Sequence, residues 1–276
     1  MPGSTHSNRA QAGPWVEMIH LKTPRELALM REAGRIVGEV LDVIREASKP
    51  GVTTQELDSI AEGIIRGHDA IPAFKGYGAA RNRSAFPGTI CASINDEVVH
   101  GIPGPRVLKD GDILSIDVGA SLKGWFADAA VTVPVGRISP EAARLIRICR
   151  ESLERAIRTV RSGIKLVDVA RAVQQHAEAN GCSVVREFVG HGIGSQMHEE
   201  PTIPNYVFPK YPHVELAPGM TLAIEPMVNQ GGHDVRVKAN GWTVVTRDGK
   251  LSAHFEHTVA VTKEGHDVLT LPGPSA

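Results

Sequence analysis

The chain has 276 residues, 42% hydrophobic and 22% charged, enough for one large domain or two small ones with a substantial core. With 30 basic and 31 acidic side chains the formal net charge is −1, so nothing calls for nucleic acid or an anionic membrane as partner. No apolar run reaches the roughly 20 residues of a membrane helix, and Cys91, Cys149 and Cys182 form no CxxC pair, which fits a reduced, cytoplasmic setting.

Residues 1–17 are rich in Gly, Ser and Pro, lack an apolar signal-peptide core, and read as a flexible arm ahead of one catalytic domain over 18–276. Thr23, Pro24 and Glu26 form a capping box, and Leu27, Met30, Val37, Leu41 and Ile44 recur at helical spacing until Lys49-Pro50-Gly51. Thr53 and Glu56 open a second helix. Strands are expected near 89–94, 113–118 and 125–133. Ser139-Pro140 then starts a third helix through about Val160, and a fourth runs from Leu166 to Asn180, with Gly181 beyond it. Further strands are expected near 183–189, 220–228, 241–246 and 253–262. Each half thus has two helices followed by strands, with Gly51-Val52 and Gly163-Ile164 at matching places. This argues for one α+β domain of two related halves.

Asp117, Asp128, His191, Glu225 and Glu256 each sit in apolar strand-like or glycine-tight stretches: ILSIDVG, WFADAAVTV, VGHGIG, TLAIEPMV and SAHFEHTVAV. A carboxylate desolvated alone is too costly, so it must be protonated, paired or bound to a cation. Any one of the five could be structural; burying all five by accident is a poor account. Four carboxylates and one imidazole suit Mn, Fe or Co better than a structural zinc site of thiolates, with Zn admissible. The short ASLKG connection lets a hairpin bring Asp117 and Asp128 face to face.

These stretches, with KTPRELALMREAGRI, INDEVVHGIPG, VGHGIGSQMHEEP and GWTVVTRDGKLSAHFEHTVAVT, resemble the type I methionine aminopeptidases of the pita-bread fold from about Met18 to Leu271. The resemblance implies an α+β fold with two pseudo-symmetric halves around a central antiparallel sheet. It also implies two divalent metal ions held by Asp117, Asp128, His191, Glu225 and Glu256. His100 and His198 resemble the histidines that contact the scissile amide, and Glu225 doubles as proton carrier. The MHEEP stretch shares only its start with HExxH, because Thr202 stands where the second histidine would be. Tyr77, Phe86, Cys91, Met197 and Trp242, with His100 at the edge, are implied to line a methionine pocket. The stretch GAARNRSA between FKGY and FPGTIC is longer than the family pattern and reads as an extended surface loop, with Arg81 and Arg83 near the pocket mouth.

The implied activity is removal of an initiator methionine from nascent chains whose second residue is small. The enzyme would be monomeric and the ribosome a candidate partner. Pro2 after Met1 makes the chain its own expected substrate. Two alternatives stand: a pita-bread peptidase cutting before proline, and a non-catalytic pita-bread protein that binds peptides or ribosomes.

Overall fold

The computed structural model describes residues 19–79, 84–211 and 213–271. The expected arm over 1–17, and Arg81 and Arg83 of the longer loop, lie outside them. In chain order come α1 (Pro24–Ala47), α2 (Thr54–Gly67), β1 (Ile71–Pro72), β2 (Ile90–Ile94), β3 (Glu97–Val99), β4 (Ile113–Leu122) and β5 (Trp125–Pro134). Then follow α3 (Pro140–Thr159), α4 (Leu166–Ala179), β6 (Ser183–Val184), β7 (Gly190–Gly192), β8 (Glu199–Ile203) and β9 (Thr221–Ile224). The chain ends through β10 (Met227–Asn229), β11 (Val235–Val237), β12 (Val244–Thr246), β13 (Ser252–His254), β14 (Glu256–Val261) and β15 (His266–Val268).

The helix starts form as the sequence implies. Thr23 and Thr53 each accept from the backbone of Glu26 and Glu56, whose carboxylates return to the threonine N–H, completing two capping boxes. Ser139 accepts from Ala142 N with Pro140 following, while Lys165 before α4 supplies no side-chain cap. The apolar stripe of α1, including Met30, Val37, Val40 and Ile44, is fully buried as the helix lies against β4 and β5.

A nine-stranded antiparallel sheet runs β1-β4-β5-β14-β9-β7-β8, with β2 also on β4 and β15 on β14. Two three-stranded sheets, β13-β10-β6 and β11-β12-β3, flank it. The two halves repeat in their hydrogen bonds as well as in element order. Gly51 N bonds Leu108 O at 2.9 Å and Leu108 N bonds Val52 O at 2.8 Å; Gly163 N bonds Leu216 O at 2.9 Å and Leu216 N bonds Ile164 O at 2.7 Å. Both glycines have positive φ, 96° and 82°, which a side chain resists.

Several strands differ from the sequence expectation. The run near 220–228 divides at Glu225-Pro226, and the run near 253–262 divides at Phe255, because at each break the chain leaves one sheet for the other. The run near 183–189 forms only Ser183–Val184. The run near 241–246 starts at Val244, since Asn240 Oδ1 takes the Trp242 and Thr243 amides in a turn.

Candidate active site

The proposed metal residues converge because the sheet aligns them in rows. Cys91 of β2, Asp117 of β4, Ala130 of β5 and Glu256 of β14 are successive cross-strand partners and so share one face. Asp128 is not opposite Asp117, as the hairpin expectation had it; Asp128 pairs with Gly119 and Asp117 with Ala130, so the two aspartates are diagonal neighbours on that face. Where β14 parts from β5, the Thr258 hydroxyl replaces the ladder, accepting from Asp128 N at 3.0 Å and donating to Asp128 O at 2.8 Å.

His191 enters from β7, squeezed between β8 and β9. A Cβ on Gly190 would collide with the Ala223 carbonyl and one on Gly192 with the Glu200 carbonyl, so His191 must be flanked by glycines. The ring is set at 2.9 Å between His191 Nδ1 and Gly192 O; Nδ1–H donates, leaving the Nε2 lone pair directed into the cluster. Nε2 lies 3.7 Å from Glu225 Oε1 and 3.9 Å from Asp128 Oδ2. Glu225 and Glu256 occupy the two places where the chain crosses between sheets, and that crossing brings them to the same point.

The electrostatics are those of a site built for cations. Burial pushes the Asp117 carboxyl up to about 7, and Glu225 adds to it while His254 opposes. Burial pushes Glu225 up to about 8. Burial and the neighbouring carboxylates push Asp128 and Glu256 well above the usual range. Burial drives His191 down to about 3, with His198 helping, which keeps its imidazole neutral and ligand-ready. Asp117 Oδ1, Asp128 Oδ1 and Glu256 Oε1 are buried and have no hydrogen-bond partner among the described residues. Ligand atoms of Asp128, His191 and Glu256 lie within 4.8 Å of one another, as do those of Glu225, His254 and Glu256. Orphaned buried oxygens in two overlapping groups fit divalent cations.

Both further histidines flank this cluster. The His198 ring lies tilted against that of His191, 4.1 Å between ring centroids, and its Nδ1 is 3.1 Å from the Tyr77 hydroxyl. His100 adopts a left-handed backbone, φ 58°, and packs edge-on against Phe188 and Trp242. Gly101 follows because a Cβ there would strike the Ala92 carbonyl.

A cavity of about 270 Å³ opens onto the cluster. Tyr77, Phe86, Cys91, Met197 and Trp242 all line it, as do His100 and His198. Phe86 meets Trp242 edge-to-face at 5.3 Å. At the base of the longer loop Phe86 N bonds Tyr77 O at 2.9 Å, and Trp242 Nε1 donates to Ser84 O at 3.0 Å. Phe188 and Met227 also line the cavity and escape a reading of the sequence, since each looks like ordinary core. His254 escapes it too. It is 1% exposed, its Nε2 has no hydrogen-bond partner, and its signal was its place two residues before Glu256 on an apolar strand.

The metallopeptidase family M24 model matches residues 28–263. Methionine aminopeptidase 1 of Bacillus subtilis (strain 168) is 52% identical over 92% of this chain and 99% of its own length. The crystal structure of a methionine aminopeptidase from Thermotoga maritima superposes with TM-score 0.88 at 45% identity, covering 92% of this chain and 100% of that one. An Xaa-Pro dipeptidase from Bacillus anthracis shares the fold alone, at TM-score 0.72 and 22% identity, with 93% of this chain covering 63% of that longer one. The chain belongs to the methionine aminopeptidases of metallopeptidase family M24.

Proposed function

We infer that the protein is a metallo-aminopeptidase that removes the N-terminal methionine of polypeptides whose second residue is small. The observation that carries this reading is the meeting of one orphaned carboxylate–imidazole cluster and one aromatic- and sulfur-lined cavity at a single place. Relatives half identical over nearly the whole chain support it.

Asp117, Asp128, His191, Glu225 and Glu256 would hold two divalent ions, with Mn, Fe and Co favoured by the oxygen-rich donors and Zn admissible. Such ions supply Lewis acidity and lower the pKa of a water molecule towards neutrality. Glu225 accepts the proton of the attacking water on a carboxylate oxygen and delivers it to the leaving amine. His198, braced on Nδ1 by Tyr77, donates to the carbonyl oxygen as it gains charge, and His100 assists from the cavity wall. The methionine side chain occupies the space bounded by Phe86, Trp242, Cys91, Tyr77 and Met197, where a flexible thioether packs well against rings. Substrates are the N-termini of nascent chains, with the ribosome a candidate partner. The protein acts as a monomer in the cytoplasm, a setting supported by three free, buried cysteines. Among the described residues no helix is long and apolar enough to cross a membrane.

The test is product release by metal-stripped protein reloaded separately with Mn, Fe, Co and Zn, given Met-Ala-Ser, Met-Lys-Ser and Ala-Pro-Ala. Free methionine from the first peptide alone is expected and ranks the metals. Cleavage of the proline peptide alone would move the protein to the proline-specific branch, and silence with every metal would leave a binding role.

A further inference from the structure

His254 is the buried imidazole that the five-residue metal set does not use. Its backbone is held rigidly. Thr132 Oγ1 accepts from His254 N at 2.8 Å and donates to His254 O at 2.8 Å, so Ser115 Oγ, 2.8 Å from Thr132 Oγ1, must donate to that hydroxyl. With the strand fixed, Nε2 comes to 3.6 Å from Glu225 Oε2, beyond hydrogen-bond range, and among the described residues nothing hydrogen-bonds it. Glu225 thus stands between two imidazoles, Oε1 towards His191 and Oε2 towards His254. A carboxylate pinned on one oxygen presents the other in a defined direction, and outer-shell partners of this kind tune the metal they never touch.

We propose that His254 is a positioning residue of the metal centre: once the 3.6 Å gap closes, its Nε2–H donates to Glu225 Oε2, so that Oε1 faces the cations beside His191. The proposal rests on the metal-centre reading above and adds a residue to it.

Wild type, His254→Gln and His254→Leu are stripped of metal and titrated with Co(II) by calorimetry. In parallel, the ring tautomer of His254 is read by long-range proton–nitrogen correlation NMR of isotope-labelled wild type loaded with Zn(II), His254→Gln serving to assign the signal. Gln keeps an N–H donor within reach of Glu225, whereas Leu keeps most of the volume without it. The His254 proton is expected on Nε2, facing Glu225 Oε2. Gln should bind Co(II) close to wild type and Leu about 10–100-fold more weakly, the usual loss on removing an outer-shell partner. A His254 proton on Nδ1, leaving Nε2 to the metal, would make His254 a ligand and overturn the proposal, as would a folded Leu variant binding Co(II) as tightly as wild type. Should the Leu variant fail to fold, the ring tautomer decides alone. Wild type that takes up no Co(II) would instead overturn the metal-centre reading on which the proposal stands.

Discussion

Asp117 and Glu256 sit on strands that do not pair with each other, and both are cross-strand partners of one residue, Ala130. Because directly paired residues share a sheet face, the methyl group of Ala130 separates two carboxylates whose strands lie on either side of its own. The space that a larger side chain would occupy is left open between them. Ala130→Leu should fill that space, lower stability by about 1–3 kcal/mol through overpacking, and abolish tight Co(II) binding. Calorimetric titration of the folded variant checks this; undiminished cobalt affinity would mean that the cations do not lie over Ala130.

Metal-free protein should lose stability as pH rises from 6.5 to 8. In that window the unfolded chain has already released its carboxyl protons, while the folded chain still holds those of Asp117, with its pKa about 7, and Glu225, about 8. Asp128 and Glu256 hold theirs as well. The folded state therefore binds more protons, and stability must fall with rising pH. Buried His191 and His257, down at about 3 and 4, give the opposite slope, but only below the unfolded histidine value near 6.5. Melting temperatures with and without Co(II) across the window decide it. The decline should appear in the stripped protein and vanish on loading.

Lys22 and Glu199 form an ion pair at 2.5 Å, with side chains 1% and 11% exposed, that ties the chain ahead of α1 to the residue after His198. Lys22→Met strands the carboxylate, so urea unfolding should report a loss of about 3 kcal/mol or more. Glu199 also accepts from the Gln196 amide and Ser195 hydroxyl. The His198 segment should therefore loosen, and kcat should fall more than KM rises. A kcat equal to wild type would separate this ion pair from catalysis.

Tyr77→Phe removes the hydroxyl 3.1 Å from His198 Nδ1 and little else. One hydrogen bond of about 0.5–1.5 kcal/mol predicts a fall in kcat of about 2–10-fold with KM for Met-Ala-Ser nearly unchanged. His198→Ala should lose about 100–1,000-fold in kcat, the range for deleting a donor to a developing oxyanion. Steady-state kinetics on both variants tests the assignment. Turnover within a few-fold of wild type for His198→Ala would remove His198 from the reaction.

Local chemistry was legible in the chain alone. Thr23, Thr53 and Ser139 cap helices because each cap is satisfied within three residues, and the repeated Gly-Val and Gly-Ile breaks announced the two halves. Asp117, Asp128, His191, Glu225 and Glu256 stood out because ionisable groups in apolar stretches need partners wherever they fold. Which partners they find was decided only by the sheet. The diagonal of Asp117 and Asp128 follows from a register in which Asp117 pairs with Ala130 and Asp128 with Gly119. The breaks at Glu225-Pro226 and Phe255 arise because the chain changes sheets there, a contact between residues distant in sequence. His254 is the clearest case. On its strand it is one more polar residue, and only the pairing of β13 with β10 beside the crossing at Glu225 brings its Nε2 towards that carboxylate.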